Sequence, residues 1–183
     1  MRKVIAGINM TLDGFCDHTA GIADDELHQH YSEVLRNADT IIWGRTTYQL
    51  MESFWPSVVK EPTGDKPIDD FAVLIDDIPK IVYSRTLQRV DWNNTTLKHE
   101  LLKEEIIGLK QQPGKNILVG SPSMIVAFTQ LGLVDEYQLC VHPVILGSGL
   151  PLFKNINESV SLNLQRTKTF GSGVVLLDYE PVQ

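Results

Sequence analysis

The first two thirds of the chain alternate between short apolar runs and segments in which apolar residues recur every three or four positions. Turn residues end each apolar run, a pattern typical of strands buried on both faces of a sheet. The runs predict strands at 4–10, 40–43, 80–83 and 116–119, and a further short strand is predicted at 95–98. The spaced segments predict helices at about 24–37, 68–76, 100–111 and 122–131, and a short helix from Arg45 or Thr46. Asp24 is the predicted N-cap of the first helix, and the stretch 52–67, rich in proline, is predicted as a loop.

The pattern of the chain changes after Asp135. The segments that follow have strand length and no helix between them, and they cover residues 136–144, 162–170 and 174–179. Strands separated by helices favour parallel pairing, whereas strands joined by turns favour antiparallel pairing. We therefore predict an α/β fold of one domain over residues 1–183. Its sheet is expected to be mixed and mostly parallel, flanked by helices, with antiparallel C-terminal strands.

Composition and charge narrow the classes of function. The chain has 183 residues, 21% of them charged, and a formal net charge of −7, so it lacks the broad basic surface of a nucleic-acid-binding protein. No apolar run approaches the roughly 20 residues that span a bilayer. Cys16 and Cys140 form neither a disulfide framework nor a metal-binding spacing. We expect a cytoplasmic protein that binds a small molecule and neither nucleic acid, membrane nor metal.

The clearest local sign of a binding site is Gly120-Ser121-Pro122-Ser123, between a predicted strand and a predicted helix. Ser121 is placed to cap the helix, and Pro122 suits its first turn, where a backbone N–H would be unpaired. Gly120 allows a ligand close to the backbone, and the free N–H groups of Ser123 and Met124 would face a pyrophosphate. The alternative is a well-capped helix with no ligand.

Two further strand ends carry polar donors. Gly44-Arg45-Thr46-Thr47 follows the second predicted strand, where the glycine permits a tight turn and the arginine and hydroxyl groups suit a phosphate. Ser84-Arg85-Thr86 follows the third strand in the same way. Alone, each segment is explained as well by an exposed arginine beside a helix cap. Together, the three segments lie at the C-terminal ends of predicted parallel strands, where open α/β sheets bind ligands.

Several polar residues have structural explanations. Asp13 lies in a turn, where aspartate is common for backbone reasons. Asp24, Asp25 and Glu26 open a predicted helix, where acids interact favourably with the helix dipole. His142, within a predicted strand, is also interpreted as structural.

Taken in order, these segments resemble the dihydrofolate reductase superfamily, and more closely the stand-alone reductase domain of riboflavin biosynthesis. Thr11-Leu12-Asp13-Gly14 is similar to the family's S-L-D-G turn, and residues 41–48 resemble its strand and Gly-Arg-Thr junction. Residues 117–123 resemble its G-G-P cofactor loop. Residues 133–136 and 143–153 resemble its G-L-V-D-E and P-V-L-L-G-G-x-P-L-F segments. The resemblance covers nearly the whole chain.

This resemblance implies a homodimer that uses NADPH to transfer a hydride to a small pyrimidine or pterin-type heterocycle. The cofactor-binding residues that it implies are Ala6, Gly44, Arg45, Thr46, Thr47, Ser84, Arg85, Thr86, Gly120, Ser121, Pro122, Ser123 and Met124. Tyr48 and Trp55 are expected on the substrate side. Asp25 is expected to protonate the substrate, with Asp13 as the alternative.

Two departures from the family leave the substrate open. Val119 stands where riboflavin-type enzymes place a substrate-contacting glutamate, immediately before the cofactor loop. The residues around Asp25 and Glu26 differ from those of authentic folate reductases. Two alternatives therefore remain: a dihydrofolate reductase, and a non-catalytic nucleotide-binding protein of the same fold.

Overall fold

The fold is taken from a computed structural model that describes residues 1–22 and 24–182. Within these residues, eight strands and six helices follow one another along the chain. The strands are β1 (Val4–Thr11), β2 (Ala38–Gly44), β3 (Lys80–Tyr83), β4 (Thr95–Lys98), β5 (Asn116–Val119), β6 (Glu136–His142), β7 (Leu162–Thr169) and β8 (Val175–Pro181). The helices are α1 (Asp25–Arg36), α2 (Arg45–Glu52), α3 (Trp55–Lys60), α4 (Lys66–Asp77), α5 (Lys103–Gln111) and α6 (Pro122–Gln130).

All eight strands belong to one sheet, in the order β4-β3-β2-β5-β1-β6-β8-β7. The pairs from β4 to β6 are parallel, and β8 runs antiparallel to both β6 and β7. The predicted mixed sheet with antiparallel C-terminal strands is therefore confirmed. Parallel pairing places the C-terminal ends of β1, β2, β3 and β5 at one edge, which we call the C-terminal edge. The segments predicted to bind phosphate all follow these strand ends.

Helices cover both faces of the parallel part of the sheet. Ile41 and Trp43 of β2 belong to an apolar core shared with α1 and α4, whereas Ile42 belongs to a second core shared with α5 and α6. Both faces of the strand are thus buried, which explains its continuous apolar sequence. In the described part of the chain, no helix combines the length and the apolar character that crossing a membrane needs.

The prediction of a loop over 52–67 is wrong for most of the stretch, because two of its prolines occupy the first turns of helices, and only Pro62 lies in the short connection between α3 and α4. α2 continues to Glu52, α3 lies wholly within the stretch, and α4 begins at Lys66. Pro56 and Pro67 are the second residues of α3 and α4, where the missing N–H removes no intrahelical hydrogen bond. These two prolines mark where helices begin.

Candidate cofactor and substrate site

A gap opens at the C-terminal edge because neighbouring strands end at different heights. β5 ends at Val119, which pairs with the first half of β1, whereas β1 continues beside β6. Residues 7–9 of β1 therefore have no strand neighbour on the β5 side. Asn9 is exposed although β1 lies in the middle of the sheet. We call this gap the notch. One wall of it is formed by residues 7–9 of β1, and the other by the strand ends at Gly44 and Gly120.

Two glycines allow a close approach of groups at the notch. The N–H of Gly44 donates to Oγ of Ser121 at 2.9 Å, which ties the start of α2 to the start of α6. A Cβ on Gly44 would lie 2.8 Å from Oγ of Ser123, and a Cβ on Gly120 would lie 2.9 Å from Nε1 of Trp43. Gly44 has φ −84° and ψ 167°, a conformation open to any residue. The backbone at Gly44 therefore suits any residue, but a side chain there would displace serine hydroxyls at the start of α6.

α6 begins at the notch without a side-chain cap. Ser121 occupies the N-cap position as predicted, but its hydroxyl makes no capping hydrogen bond and instead accepts one from the start of α2. The N–H groups of Ser123 and Met124 consequently have no partner among residues 1–22 and 24–182. α2 also starts without a side-chain cap, as do α3 and α5, whereas α1 and α4 are capped by the carboxylates of Asp24 and Asp65. Two open helix N-termini at one edge of a sheet suit the binding of an anion.

Two arginines follow the neighbouring strand ends. Arg45 and Arg85 are exposed, and within the described ranges neither has a carboxylate at ion-pair distance. Thr46 and Thr86 beside them are exposed as well. Ser84 differs, since it is buried and its Oγ accepts the N–H groups of the residues two and three positions later. Ser84 therefore shapes the turn, and the two guanidinium groups remain available to a ligand.

Comparison with known proteins assigns this arrangement to a family. The sequence model described as the RibD C-terminal domain matches residues 2–176. The chain belongs to the RibD C-terminal domain family. The uncharacterized protein YyaP of Bacillus subtilis (strain 168) is 36% identical over 182 residues, which cover 97% of this chain and 94% of YyaP.

Three solved structures share the fold of this RibD C-terminal domain family member. A Shewanella sp. PV-4 protein whose name refers to riboflavin biosynthesis is 20% identical, with a TM-score of 0.75 and 99% of each chain covered. A diaminohydroxyphosphoribosylaminopyrimidine deaminase/5-amino-6-(5-phosphoribosylamino)uracil reductase of Thermotoga maritima is 17% identical, with a TM-score of 0.66 over 99% of this chain and 57% of that one. Dihydrofolate reductase from Enterococcus faecalis, complexed with NADP(H) and RAB-propyl, is 12% identical, with a TM-score of 0.63 over 99% of this chain and 97% of that one. The dihydrofolate-reductase-like fold is confirmed.

Some residues implied by the RibD-type resemblance lie away from the open face of the notch. The side chains of Ala6 and Met124 are buried in the core shared with α5 and α6, so only their backbone could contact a cofactor. Trp55 is half-buried and packs on Phe71 of α4, with 4.6 Å between ring centroids. Its role on the substrate side stays a prediction. Three predicted cofactor residues are half-buried: Thr47, Gly120 and Pro122.

Tyr48, predicted to line the substrate side, is a core residue. Its side chain is 1% exposed, because the side of α2 that carries it faces the sheet. Its hydroxyl donates to Glu52 and accepts the N–H groups of Asp91 and Trp92, each at 3.2 Å. Burial, with the Glu52 hydrogen bond, raises the pKa of Tyr48 to about 12. Tyr48 thus anchors the segment before β4, and the prediction of a substrate contact is wrong.

Asp13 holds a neighbouring loop in place. Its carboxylate accepts hydrogen bonds from Oγ1 of Thr11 (2.6 Å), from the N–H of Gly147 (2.7 Å) and from the N–H of Leu146 (3.1 Å). The Thr11 hydroxyl, followed by the Gly147 amide, lowers the pKa of Asp13 to about 2. A carboxylate that is ionised at neutral pH and engaged by three donors is poorly placed to donate a proton. The geometry therefore speaks against Asp13 as the catalytic acid.

Asp25 is open to solvent at the first turn of α1. No residue of the described ranges forms a hydrogen bond to its carboxylate. Its neighbours bind the turn between β7 and β8: Asp24 accepts the N–H of Ser172 at 3.2 Å, and Glu26 accepts the N–H of Gly171 at 2.7 Å. These contacts hold the N-terminal end of α1 against that turn, but neither of them involves the Asp25 side chain. Among the described residues, no hydrogen bond or ion pair therefore joins Asp25 to the notch.

Sequence reasoning missed a hydrogen-bonded group beside the notch. Oδ1 of Asn9 lies 3.0 Å from both Oη of Tyr31 and Nε2 of His142. Nδ1 of His142 in turn lies 2.9 Å from the backbone N of Ile22. His142, interpreted from the sequence as structural, belongs to this group. The available signal was Asn9 itself, a polar residue within the apolar run of β1.

A wide concavity of about 680 Å³ lies at the opposite edge of the sheet, where α1 ends. It is lined mainly by polar and charged side chains, including Lys3, Arg36, Lys115 and Arg166. Of the described residues that line it, none begins a helix and none is a glycine. The notch, with its open helix N-termini, is therefore the better candidate for a nucleotide in this RibD-type fold.

Proposed function

We propose that the chain is an NADPH-dependent reductase of a small pyrimidine or pterin-type heterocycle. The observation that carries the proposal is the pair of helix N-termini, α2 and α6, that meet without side-chain caps at the glycine-lined notch. Membership of the RibD C-terminal domain family supports a reductase. Two structural neighbours support the choice of substrate and cofactor, since one is named as a uracil-derivative reductase and the other is complexed with NADP(H).

The residues of the notch suit the phosphates of a dinucleotide. The N–H groups of Ser123 and Met124 would bind the pyrophosphate, because helix N-termini attract anions. Gly44 would allow the phosphates to approach the backbone, since a Cβ at this position would crowd the start of α6. NADPH supplies the hydride when bound. The chain itself binds the cofactor, orients the substrate ring beside it and excludes water.

An assay of NADPH oxidation tests the proposal. The enzyme is mixed with NADPH and either 7,8-dihydrofolate or 5-amino-6-(5-phosphoribosylamino)uracil, and we expect substrate-dependent loss of NADPH with at least one of them. Oxidation with dihydrofolate alone would identify a dihydrofolate reductase. Binding of NADPH without oxidation would favour the second candidate, a non-catalytic nucleotide-binding protein. Val119 supports that candidate, because it is fully buried and offers no polar group where riboflavin-type enzymes place a glutamate.

Replacing both Arg45 and Arg85 with alanine is expected to lower the preference for NADPH over NADH. Charge-assisted hydrogen bonds to a phosphate contribute roughly 1.5–3 kcal/mol each. The Kd for NADH divided by the Kd for NADPH should therefore fall at least about tenfold. Calorimetric titration with each nucleotide measures the ratio. Arg89→Ala is the control, because Arg89 is exposed and already paired with Asp91. An unchanged ratio in the double variant would show that the 2′-phosphate is held elsewhere.

We propose that water, and not Asp25, delivers the proton to the reduced substrate. A positioned general acid typically contributes ~10²–10⁴-fold to the rate, whereas Asp25 is exposed and unanchored. Asp25→Asn is therefore expected to slow NADPH oxidation by less than about threefold at neutral pH and saturating NADPH. A loss of roughly 100-fold or more, with NADPH affinity unchanged, would restore Asp25 as the proton donor.

A further inference from the structure

We propose that Asn9 orients the substrate by donating a hydrogen bond from its side-chain amide to a carbonyl oxygen or an unprotonated ring nitrogen of the heterocycle. This inference rests on the proposed function. Asn9 lies on central strand β1, opposite Cys140 in the register with β6, and is nevertheless exposed. Its exposure follows from the notch, because β5 ends before reaching this level of the sheet. A ring bound in the notch would therefore meet the Asn9 side chain.

The orientation of the Asn9 amide is fixed by two donors. Nδ1 of His142 accepts the N–H of Ile22 at 2.9 Å, so the ring proton must be on Nε2. Nε2–H then donates to Oδ1 of Asn9 at 3.0 Å. Oη of Tyr31 donates to the same oxygen, also at 3.0 Å. With Oδ1 occupied twice, the amide NH₂ is the group left for a ligand.

The two donors are themselves held firmly. His142 is 2% exposed, and a Cβ on Gly21 would lie 3.4 Å from its Cε1, so the ring is closely packed. Burial lowers the pKa of His142, which favours the neutral ring. Tyr31 packs against two apolar cores, and burial raises its pKa, so its hydroxyl stays a donor. A recognition group fixed before the ligand binds loses little conformational entropy on binding.

The unused half of the Asn9 amide defines the ligand chemistry. The network engages only Oδ1, and no residue in the described ranges accepts a hydrogen bond from Nδ2. Pyrimidine and pterin rings present carbonyl oxygens and ring nitrogens that can accept such a bond, whereas a ring amino group would place one donor against another. Tyr31 and His142 are positioning residues in this arrangement, and Asn9 is the group that touches the substrate.

Binding of the ring to the protein saturated with NADP⁺ tests the inference without relying on turnover. The probes are 7,8-dihydrofolate and 5-amino-6-(5-phosphoribosylamino)uracil, titrated by calorimetry, and the probe that binds the wild type more tightly is then used with the variants. Asn9→Ala is expected to weaken its binding at least about tenfold. Asn9→Asp should weaken it at least as much, because an acceptor replaces the donor. Tyr31→Phe should cause a smaller loss, since it removes one of the two groups that fix the amide.

The control is Tyr137→Phe, which removes another buried hydroxyl, 2.8 Å from Oγ1 of Thr129 and in a different core. We expect no change in ring affinity for this variant, and NADPH affinity within twofold of the wild type for all variants. Thermal melting checks folding, and if Asn9→Ala does not fold, Asn9→Asp decides. Ring affinity within twofold of the wild type in the Asn9 variants overturns the inference. Saturation with neither probe while NADPH still binds also overturns it and leaves the cofactor site standing, whereas a failure to bind NADPH overturns the proposed function as well.

Discussion

Replacing Gly44 with valine is expected to weaken NADPH binding by roughly 100-fold or more while the chain stays folded. The Cβ alone would lie 2.8 Å from Oγ of Ser123 and 3.4 Å from Oγ of Ser121, and the two methyl groups of valine would extend beyond it over the start of α6. The N–H groups proposed to hold the pyrophosphate would then be covered. Two charge-assisted hydrogen bonds lost together correspond to roughly 3 kcal/mol or more.

The fold should tolerate this substitution because the backbone at Gly44 is ordinary for any residue. The nearest atoms are hydroxyl ends of serine side chains that can rotate away. Gly108→Val is the matched control, since a Cβ on Gly108 in α5 meets nothing within 4 Å. Titration with NADPH and thermal melting of both variants make the comparison. A folded Gly44→Val protein with NADPH affinity within threefold of the wild type would remove the notch as the cofactor site.

Lys80→Met is expected to lower the free energy of unfolding by roughly 3 kcal/mol, the largest effect on stability that we predict. Lys80 is 1% exposed, and its Nζ donates to the carbonyl oxygens of Asp76 (2.7 Å), Ile78 (3.0 Å) and Asn93 (3.1 Å). Methionine fills the space but leaves these carbonyls without a donor. Urea denaturation at pH 7 measures the loss. Lys66→Met, at an exposed ion pair with Asp70, is the control and should change stability by less than about 1 kcal/mol.

The Lys80→Met variant also tests how stability depends on pH, and the direction of the expected change is known. Burial lowers the pKa of Lys80 to about 8 in the folded protein, from 10.5 for an exposed lysine. Between these values the unfolded chain holds a proton that the folded chain has lost, so this group makes the wild type more stable as the pH rises, by up to about 1.4 kcal/mol per pH unit. The stability difference between wild type and Lys80→Met should therefore widen from pH 8 to 10. If the stability difference between the two proteins narrows from pH 8 to 10, the pKa of Lys80 is not lowered by burial as stated.

The fold could be predicted because its signals are local. β2 and β5 are buried on both faces and so carry continuous apolar runs, while the segments after Asp135 change to strands joined by turns. The loop predicted over 52–67 was wrong for an equally local reason, because proline is compatible with both a loop and the first turn of a helix. Sequence spacing alone does not separate these two uses.

The site could be predicted only where it depends on strand ends. Glycines and arginines that follow parallel strands indicated the notch, but the partner of each polar group could not be foreseen. The Ser121 hydroxyl accepts the N–H of Gly44, which lies 77 positions earlier in the chain, so the expected helix cap is missing. His142 reaches Asn9 across 133 positions. Tyr48 is a residue type that often contacts substrates, yet its position on α2 directs the side chain into the core.

Titration of the wild-type protein with NADPH, followed by energy transfer from tryptophan to the dihydronicotinamide, tests the central claim most directly. Trp43 lies beside the notch, with its Nε1 2.9 Å from where a Cβ on Gly120 would be, so it is close enough to transfer energy to a nucleotide bound there. The account predicts saturable binding of NADPH at the notch, with NADH bound at least about tenfold more weakly, as the loss of one phosphate contact would cause. Absence of saturable binding of either nucleotide would contradict it.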